Sequence, residues 1–208
     1  MTQRAYSTKD ILAKTYETLP WEDEWAAAFG HPTVNETWMV HVPSGSGKSS
    51  FVMQLAKKLT EYGLVLYMSY EEGISQSFQK RLERFRMNEV QGRFRIATRD
   101  TIEELTARLR RKKSPKYVIV DSFQASEWDF SETKALIEAF PRKCFIFISQ
   151  EYKGQPMGKA AQRLKYFAGV KVRVSGYKAY CQGRFIPEPG IYYPVWAEGI
   201  LKTTNNIG

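Results

Sequence analysis

The stretch TWMVHVPSGSGKSS, residues 37–50, decides how the rest of the chain is read. Gly47, Lys48 and Ser49 supply the end of a phosphate-binding loop, whose usual form is Gly, four residues, Gly, Lys, then Ser or Thr. Val42 stands where the first glycine is expected. In such loops the phosphates are cradled by backbone N–H groups at a helix start, where the helix dipole favours an anion. Those amides belong to residues 45–50. Gly45 and Gly47 permit backbone angles that a side chain would block. Lys48 can reach terminal phosphates, and the Ser49 hydroxyl suits Mg²⁺. A β-branched residue at 42 favours extended backbone, so Val42 is expected to continue the strand and leave the cradle intact.

Outward from the loop the pattern alternates. TWMVHV reads as a strand, KSSFVMQLAKKLTEYG as a helix ending at Gly63, and LVLYMSY as a second strand. SQSFQKRLERF has helical spacing and RFRIAT is a short strand; Asp100 and Glu103 suit a capping box for the helix TIEELTARLRRKK. Its RRKK end, residues 110–113, places cations where they complement the helix dipole. YVIVDS, the helix ETKALIEAF and CFIFISQ follow. Apolar strands separated by amphipathic helices predict an α/β fold, with a mostly parallel sheet covered on both faces. Beyond residue 168, VKVRVSG, YKAYCQGRF and IYYPVW predict antiparallel strands at the C-terminal edge. Residues 8–18 predict a helix, and the stretch after it an irregular segment. One domain is expected over 1–208: an N-terminal segment 1–35, a nucleotide-binding core 36–185, and a strand and tail 186–208.

Two further carboxylate positions carry chemistry. YVIVDS ends in Asp121, which places an acid at the carboxyl edge of a parallel sheet, where it can orient water on Mg²⁺. Glu71 and Glu72 close the second strand. They can polarise an attacking water or cap the next helix, and Glu72 is expected to matter for turnover at least as much as Glu71.

Composition bounds the remainder. Apolar residues make up 43% and charged residues 25%, ordinary for a globular chain, and no apolar run approaches a membrane span. The N-terminus lacks a signal peptide's apolar core, so a cytoplasmic protein is expected. Cys144 and Cys181, with His31 and His41 the sole histidines, read as buried thiols rather than a zinc site. Net charge is +9, and residues 151–184 hold eight Lys or Arg against Glu151 alone. Such an excess attracts polyanions, or is a generic basic surface. Trp38, Trp128 and Trp196 read as packing residues; Tyr152, beside Lys153 in a flexible basic loop, is the better base-stacking candidate.

The ordered set PSGSGKS, YMSYEEG, YVIVDSFQ and FIFISQ resembles the RecA-like ATPases, in particular the DnaB, RadA and KaiC branch, over about residues 36–185. The resemblance implies ATP and Mg²⁺ bound between neighbouring copies of a ring or filament. Pro43, Ser44, Gly45, Ser46, Gly47, Lys48, Ser49 and Ser50 would hold the nucleotide, and Ser49 and Asp121 the metal. Glu71 and Glu72 would be the catalytic acids. Gln150 would sense phosphate and signal to a DNA-binding loop at EYKGQPMGKAAQR, where Tyr152, Lys153, Lys159, Arg163 and Lys165 would touch single-stranded or duplex DNA. Relatives often carry Lys-x-Arg on a late strand; here Gln182 replaces the lysine. Arg184 remains either a finger reaching into a neighbour's nucleotide or a surface arginine. The function implied is an oligomeric ATPase acting on DNA in recombination, repair or replication, with protein partners and no membrane. A nucleotide-binding adaptor with weak or no hydrolysis is the alternative, favoured by Val42 and the missing lysine. A small-molecule kinase would need an arginine-bearing lid, and the region after FISQ offers none.

Overall fold

The computed structural model describes residues 5–185, 188 and 190–205. Its apolar runs are strands whose order in space differs from their order in sequence. They are β1 (Trp38–Val42), β2 (Val65–Ser69), β3 (Phe94–Ala97), β4 (Tyr117–Asp121), β5 (Cys144–Tyr152), β6 (Gln155–Pro156), β7 (Val170–Ser175), β8 (Lys178–Gly183) and β9 (Tyr192–Pro194). The sheet runs β3-β2-β4-β5-β1-β7-β8-β9, with β6 paired to the end of β5. Pairing is parallel from β3 through β7 and antiparallel from β7 to β9.

Because strand side chains alternate, each strand feeds two cores. Val40, Tyr67, Ile119, Ile146 and Val172 face one way, against α2 (Asp23–Phe29), α3 (Lys48–Leu59) and α4 (Gln76–Arg84). Met39, Met68, Val118 and Phe147 face the other. There they meet α5 (Ile102–Leu109), α6 (Phe123–Ser126), α7 (Phe130–Ala139) and α8 (Lys159–Phe167). Burial on both faces explains why these strands read as continuous apolar runs.

Several expectations need correction. The helix over 8–18 is one short turn, α1 (Thr8–Leu12), capped by Ser7 and burying no residue, while Thr18 bridges Thr33 as a strand would. The stretch expected to be irregular holds α2. Trp25, Ala28 and Phe29 anchor it in an aromatic cluster with Trp21, Trp38 and Tyr193. Helix α3 stops at Leu59, short of Gly63, where the Thr60 hydroxyl donates to the Lys57 carbonyl at 2.6 Å. The capping box of α5 is Thr101 with Glu104, one residue later than read; Asp100 instead accepts from Arg108 at 2.9 Å. That helix ends at Leu109, so RRKK lies at and beyond its C-cap. Strand β7 is antiparallel only towards β8, being parallel to β1. Residues 151–163 are no loop: β5 runs to Tyr152, turns at Lys153 and Gly154 into β6, and α8 begins at Lys159. A short helix α9 (Ala197–Asn205) follows β9. Of the C-terminal segment 186–208, residues 186, 187, 189 and 206–208 lie outside the described residues. No helix among the described residues is long and apolar enough to cross a membrane.

Candidate nucleotide-binding site

Val42 is the last residue of β1, pairs with Gln150 of β5 and is 2% exposed. It belongs to the sheet, as its branched side chain predicts. Loop residues 43–47 then lead into α3 at Lys48, with Gly47 as N-cap. Gly45 and Gly47 have φ of 74° and 96°, the left-handed region that favours glycine. At Gly47 space is short as well: a Cβ would stand 3.0 Å from the Tyr177 ring. Tyr177, in the β7–β8 turn, also donates its N–H to the Ser46 carbonyl at 3.3 Å and accepts from the Val195 N–H at 2.9 Å. The loop is thus braced from the antiparallel edge of the sheet.

A cleft of about 440 Å³ opens over the loop, lined by Val42, Pro43, Ser44, Gly45, Gly47, Lys48, Ser49 and Ser50 with Glu71, Gln150, Glu151 and Tyr177. A second hollow of about 320 Å³ shares Lys48, Ser49 and Glu71 and adds Tyr67, Ser69, Glu72, Arg81 and Asp121. Lys48 joins the two. Its ammonium donates to Glu71 Oε2 at 2.6 Å and to Asp121 Oδ1 at 3.4 Å. Burial disfavours the charged form, yet Asp121 and Glu71 outweigh it and hold the pKa above the ordinary lysine value. Gln150 Nε2 reaches Glu71 Oε1 at 3.5 Å.

The adjacent acids part company. Glu71 turns to Lys48 and Gln150, whereas Glu72 pairs with Arg81 at 2.8 Å and accepts from Ser75 at 3.1 Å and from Ser77. Burial tends to raise the pKa of Glu72, but Ser77 and Arg81 prevail and lower it. Ser75 is the N-cap of α4, so Glu72 ties the end of β2 to that helix start. Arg184 is exposed one residue beyond β8 and does not line the cleft. Of the DNA-contact candidates, Tyr152 ends β5 and Lys153 starts the β5–β6 turn, with the ammonium 5.3 Å from the ring centroid, and Lys159 opens α8. Arg163 lies over the Phe130 ring at 4.3 Å, and Lys165 donates to Gln155 at 3.0 Å.

Several residues at the site were given no role there from the sequence. The fully buried Tyr67 hydroxyl donates to Asp121 Oδ2, leaving Oδ1 turned to Lys48. Burial and then Asp121 push its pKa well up, so it stays a neutral donor. Gln124 donates to Ser149 and to the Met157 carbonyl, both at 2.7 Å, and accepts from the Gln150 N–H at 3.2 Å. It therefore links Gln150 to the β5–β6 hairpin. Glu151 lies between His41 Nδ1 at 2.9 Å and a bidentate Arg173 at 2.8 and 2.9 Å. A mid-strand tyrosine and a glutamine after a strand look like ordinary core and cap residues. Their clue is parity: Tyr67 shares a strand face with Ser69, the partner of Asp121.

Cys144 and Cys181 are both buried free thiols. Trp38 and Trp128 are buried, and Trp196 packs edge-on against Tyr177 at 5.0 Å. Among the described residues no three His, Cys, Asp or Glu side chains converge as a metal site. The oxygen set of Ser49 and Asp121 in one hollow suits Mg²⁺, which takes one or two protein oxygens and completes its shell with phosphates and water.

No protein-family profile and no curated protein sequence matches the chain. Among solved structures it is similar to the flagellar accessory protein FlaH from Methanocaldococcus jannaschii, with a TM-score of 0.62 and 14% identity over 86% of this chain and 93% of that one. A second solved structure, of an isolated ATPase domain, aligns at a TM-score of 0.49 and 14% identity, over 67% of this chain and 69% of that one. At such identity the first likeness is one of fold, and together with the strand order and the loop at the end of β1 it makes this a RecA-like α/β fold.

Proposed function

We propose that the chain is a Mg²⁺-dependent ATPase that assembles into a ring or filament and acts on DNA. The observation that carries the proposal is Lys48, held between Glu71 and Asp121 at the mouth of a glycine loop that opens a helix. The amide N–H groups of residues 45–50 would donate to the phosphate oxygens, flanked by Pro43, Ser44 and the Ser50 side chain. Lys48 moves from Glu71 to the terminal phosphate, and Glu71 is then free to orient a water for in-line attack. Bound Mg²⁺ supplies charge neutralisation across the phosphates. Ser49 and Asp121 would hold it, and Tyr67 fixes the Asp121 rotamer. Glu72 braces the strand end. Gln150 passes the change at Glu71 to the hairpin of Tyr152 and Lys153 through Gln124. Lys159, Arg163 and Lys165 extend that basic surface for DNA phosphates.

The exposure of Arg184 outside the cleft favours a finger acting on a neighbouring copy. Val42 in place of the loop's first glycine and Gln182 in place of the strand lysine support a second reading, an adaptor that binds nucleotide and hydrolyses it slowly. ATP turnover, measured with and without single-stranded and duplex DNA alongside sedimentation, decides between them. Turnover stimulated by DNA in an assembled state is expected, with Lys48→Ala abolishing MgATP binding. Binding without turnover under every condition leaves the adaptor.

A further inference from the structure

The cleft lies at the carboxyl ends of the strands. At their amino ends a second set of cations gathers. Residues 110–113 are Arg-Arg-Lys-Lys, Lys116 precedes β4, and Arg142 and Lys143 precede β5. Strands β4 and β5 pair Tyr117 with Cys144, so the two basic turns stand side by side. Between them is a hollow of about 390 Å³ whose polar lining is Ser114, Lys116, Arg142 and Lys143.

These charges are poorly compensated. The Lys143 ammonium donates to Ser114 Oγ at 2.8 Å and to the Pro115 carbonyl at 2.7 Å, both neutral acceptors. Burial and the adjacent Arg142 hold its pKa below the ordinary value, with no carboxylate opposing them. Lys116 reaches Glu17 at 3.2 Å, while Glu138 is engaged by Lys134 at 3.5 Å. Among the described residues no ion pair involves residues 110–113, Arg142 or Lys143. Helix α5 cannot account for the run, since it ends at Leu109 and its macrodipole acts within the last turn.

We propose that this amino-end patch is a second polyanion site, which takes the phosphate backbone of a nucleic acid. Lys143 and Ser114 form a pocket for one phosphate, and the cations at 110–113 track its neighbours. None of the exposed large apolar side chains falls in 109–116 or 139–143, so the patch has nothing to insert into a lipid surface. The aromatic in the hollow, Phe140, is half-buried and packed against the core, which makes the contact one of charge and independent of base sequence. Strand β4 separates it from the nucleotide cleft by about 16 Å at the usual rise per residue. Binding here needs neither nucleotide nor hydrolysis, so the inference goes beyond the ATPase reading.

The test is fluorescence anisotropy of labelled single-stranded and duplex DNA, about 30 nucleotides long, in a salt series without nucleotide. The variants are Arg111→Glu/Lys112→Glu/Lys113→Glu, the milder Lys112→Gln/Lys113→Gln, and Lys153→Ala/Lys159→Ala at the hairpin and the start of α8. The charge reversal should weaken binding roughly tenfold or more and lower the slope of log affinity against log salt by about two to three. The milder pair keeps the test valid should the triple variant fold poorly; it should lower the slope by about one to two. Loss at the patch should add to loss at the hairpin. Unchanged affinity and slope in a folded patch variant, or no DNA binding by the wild type at about 50 mM salt, overturns the proposal. So does a variant that releases anionic phosphatidylserine vesicles while holding DNA as before, since the occupant is then a membrane. Patch-dependent DNA binding in a chain that never hydrolyses ATP sinks the ATPase reading and leaves this one standing.

Discussion

At Val42 and at the Glu71–Glu72 pair, single side chains separate competing accounts of the cleft. Val42 is buried in the sheet, and the amides proposed to meet phosphate begin three residues later. Replacing it with glycine should therefore leave nucleotide affinity within about fivefold, or ~1 kcal/mol. It should cost about 2–3 kcal/mol of stability through lost burial and a looser strand end. Titration with MgATP beside denaturant unfolding checks both; tight binding gained only by Val42→Gly would identify Val42 as a disabling residue. For the acids, the sequence favoured Glu72, and the geometry favours Glu71. Glu71→Gln should lower turnover by roughly a hundredfold or more, the scale of a lost general base, with MgATP binding retained. Glu72→Gln should act on stability first, because Arg81 is left without its carboxylate partner. Single-turnover rates beside melting temperatures separate the two, and equal rate losses at matched stability would reject the assignment. Adjacent glutamates are indistinguishable in sequence; what divides them is that one faces the loop lysine and the other a helix start.

At the scale of elements, the β7–β8 turn is the part that acts at a distance in sequence. Tyr177 touches Ser46, and its ring would crowd a Cβ at Gly47. Gly47→Ala should lose about 1–3 kcal/mol from positive φ and the crowded ring. Adding Tyr177→Ala should recover the crowding part and leave the backbone part. A melting series on the single and double variants measures this, and an alanine tolerated without loss would mean the turn does not brace the loop. The strands were legible because burial on both faces writes uninterrupted apolar runs. Caps were legible only to within a residue: Asp100 and Thr101 can both cap, and pairing with Arg108 draws Asp100 away. Helix α2 hid inside a Trp-rich stretch whose packing partners, such as Tyr193, come much later in the chain. The β5–β6 hairpin read as a loop because its second strand is two residues long and ends in proline. The candidate positions lie at strand ends and could be listed from motifs; Gln124, which meets its partners only across the sheet, could not, and Tyr67 left only its strand parity as a clue.

Across the whole molecule, the trio of buried His41, the enclosed Glu151 carboxylate and half-exposed Arg173 ties β1, β5 and β7 together and makes stability depend on pH. Burial, with Lys165 and Arg173 nearby, depresses the His41 pKa below its ordinary 6.5, against the opposing pull of Glu151. The folded chain therefore refuses a proton that the unfolded chain accepts, and stability falls as pH drops below about 6.5. Arg173 holds Glu151 below its ordinary 4.5, so a further loss follows as pH falls through that lower range. Melting temperature should decline from pH 7 to pH 5, and His41→Gln should flatten the slope in the upper part of that window. An unchanged slope would show that other groups govern acid sensitivity. The strand order has a consequence in time as well as in space. β1, which carries the glycine loop, has neighbours only in β5 and β7, so Trp38 waits for Ile146 and Val170. During synthesis the loop strand emerges early and stays unpaired along both sides while more than a hundred residues follow it. Those residues include the β2–β4 half, whose strands pair with one another first. The nucleotide cleft is then among the last features to form, and the newborn chain passes through a long interval in which a buried apolar strand is open to chaperones, or to a second chain.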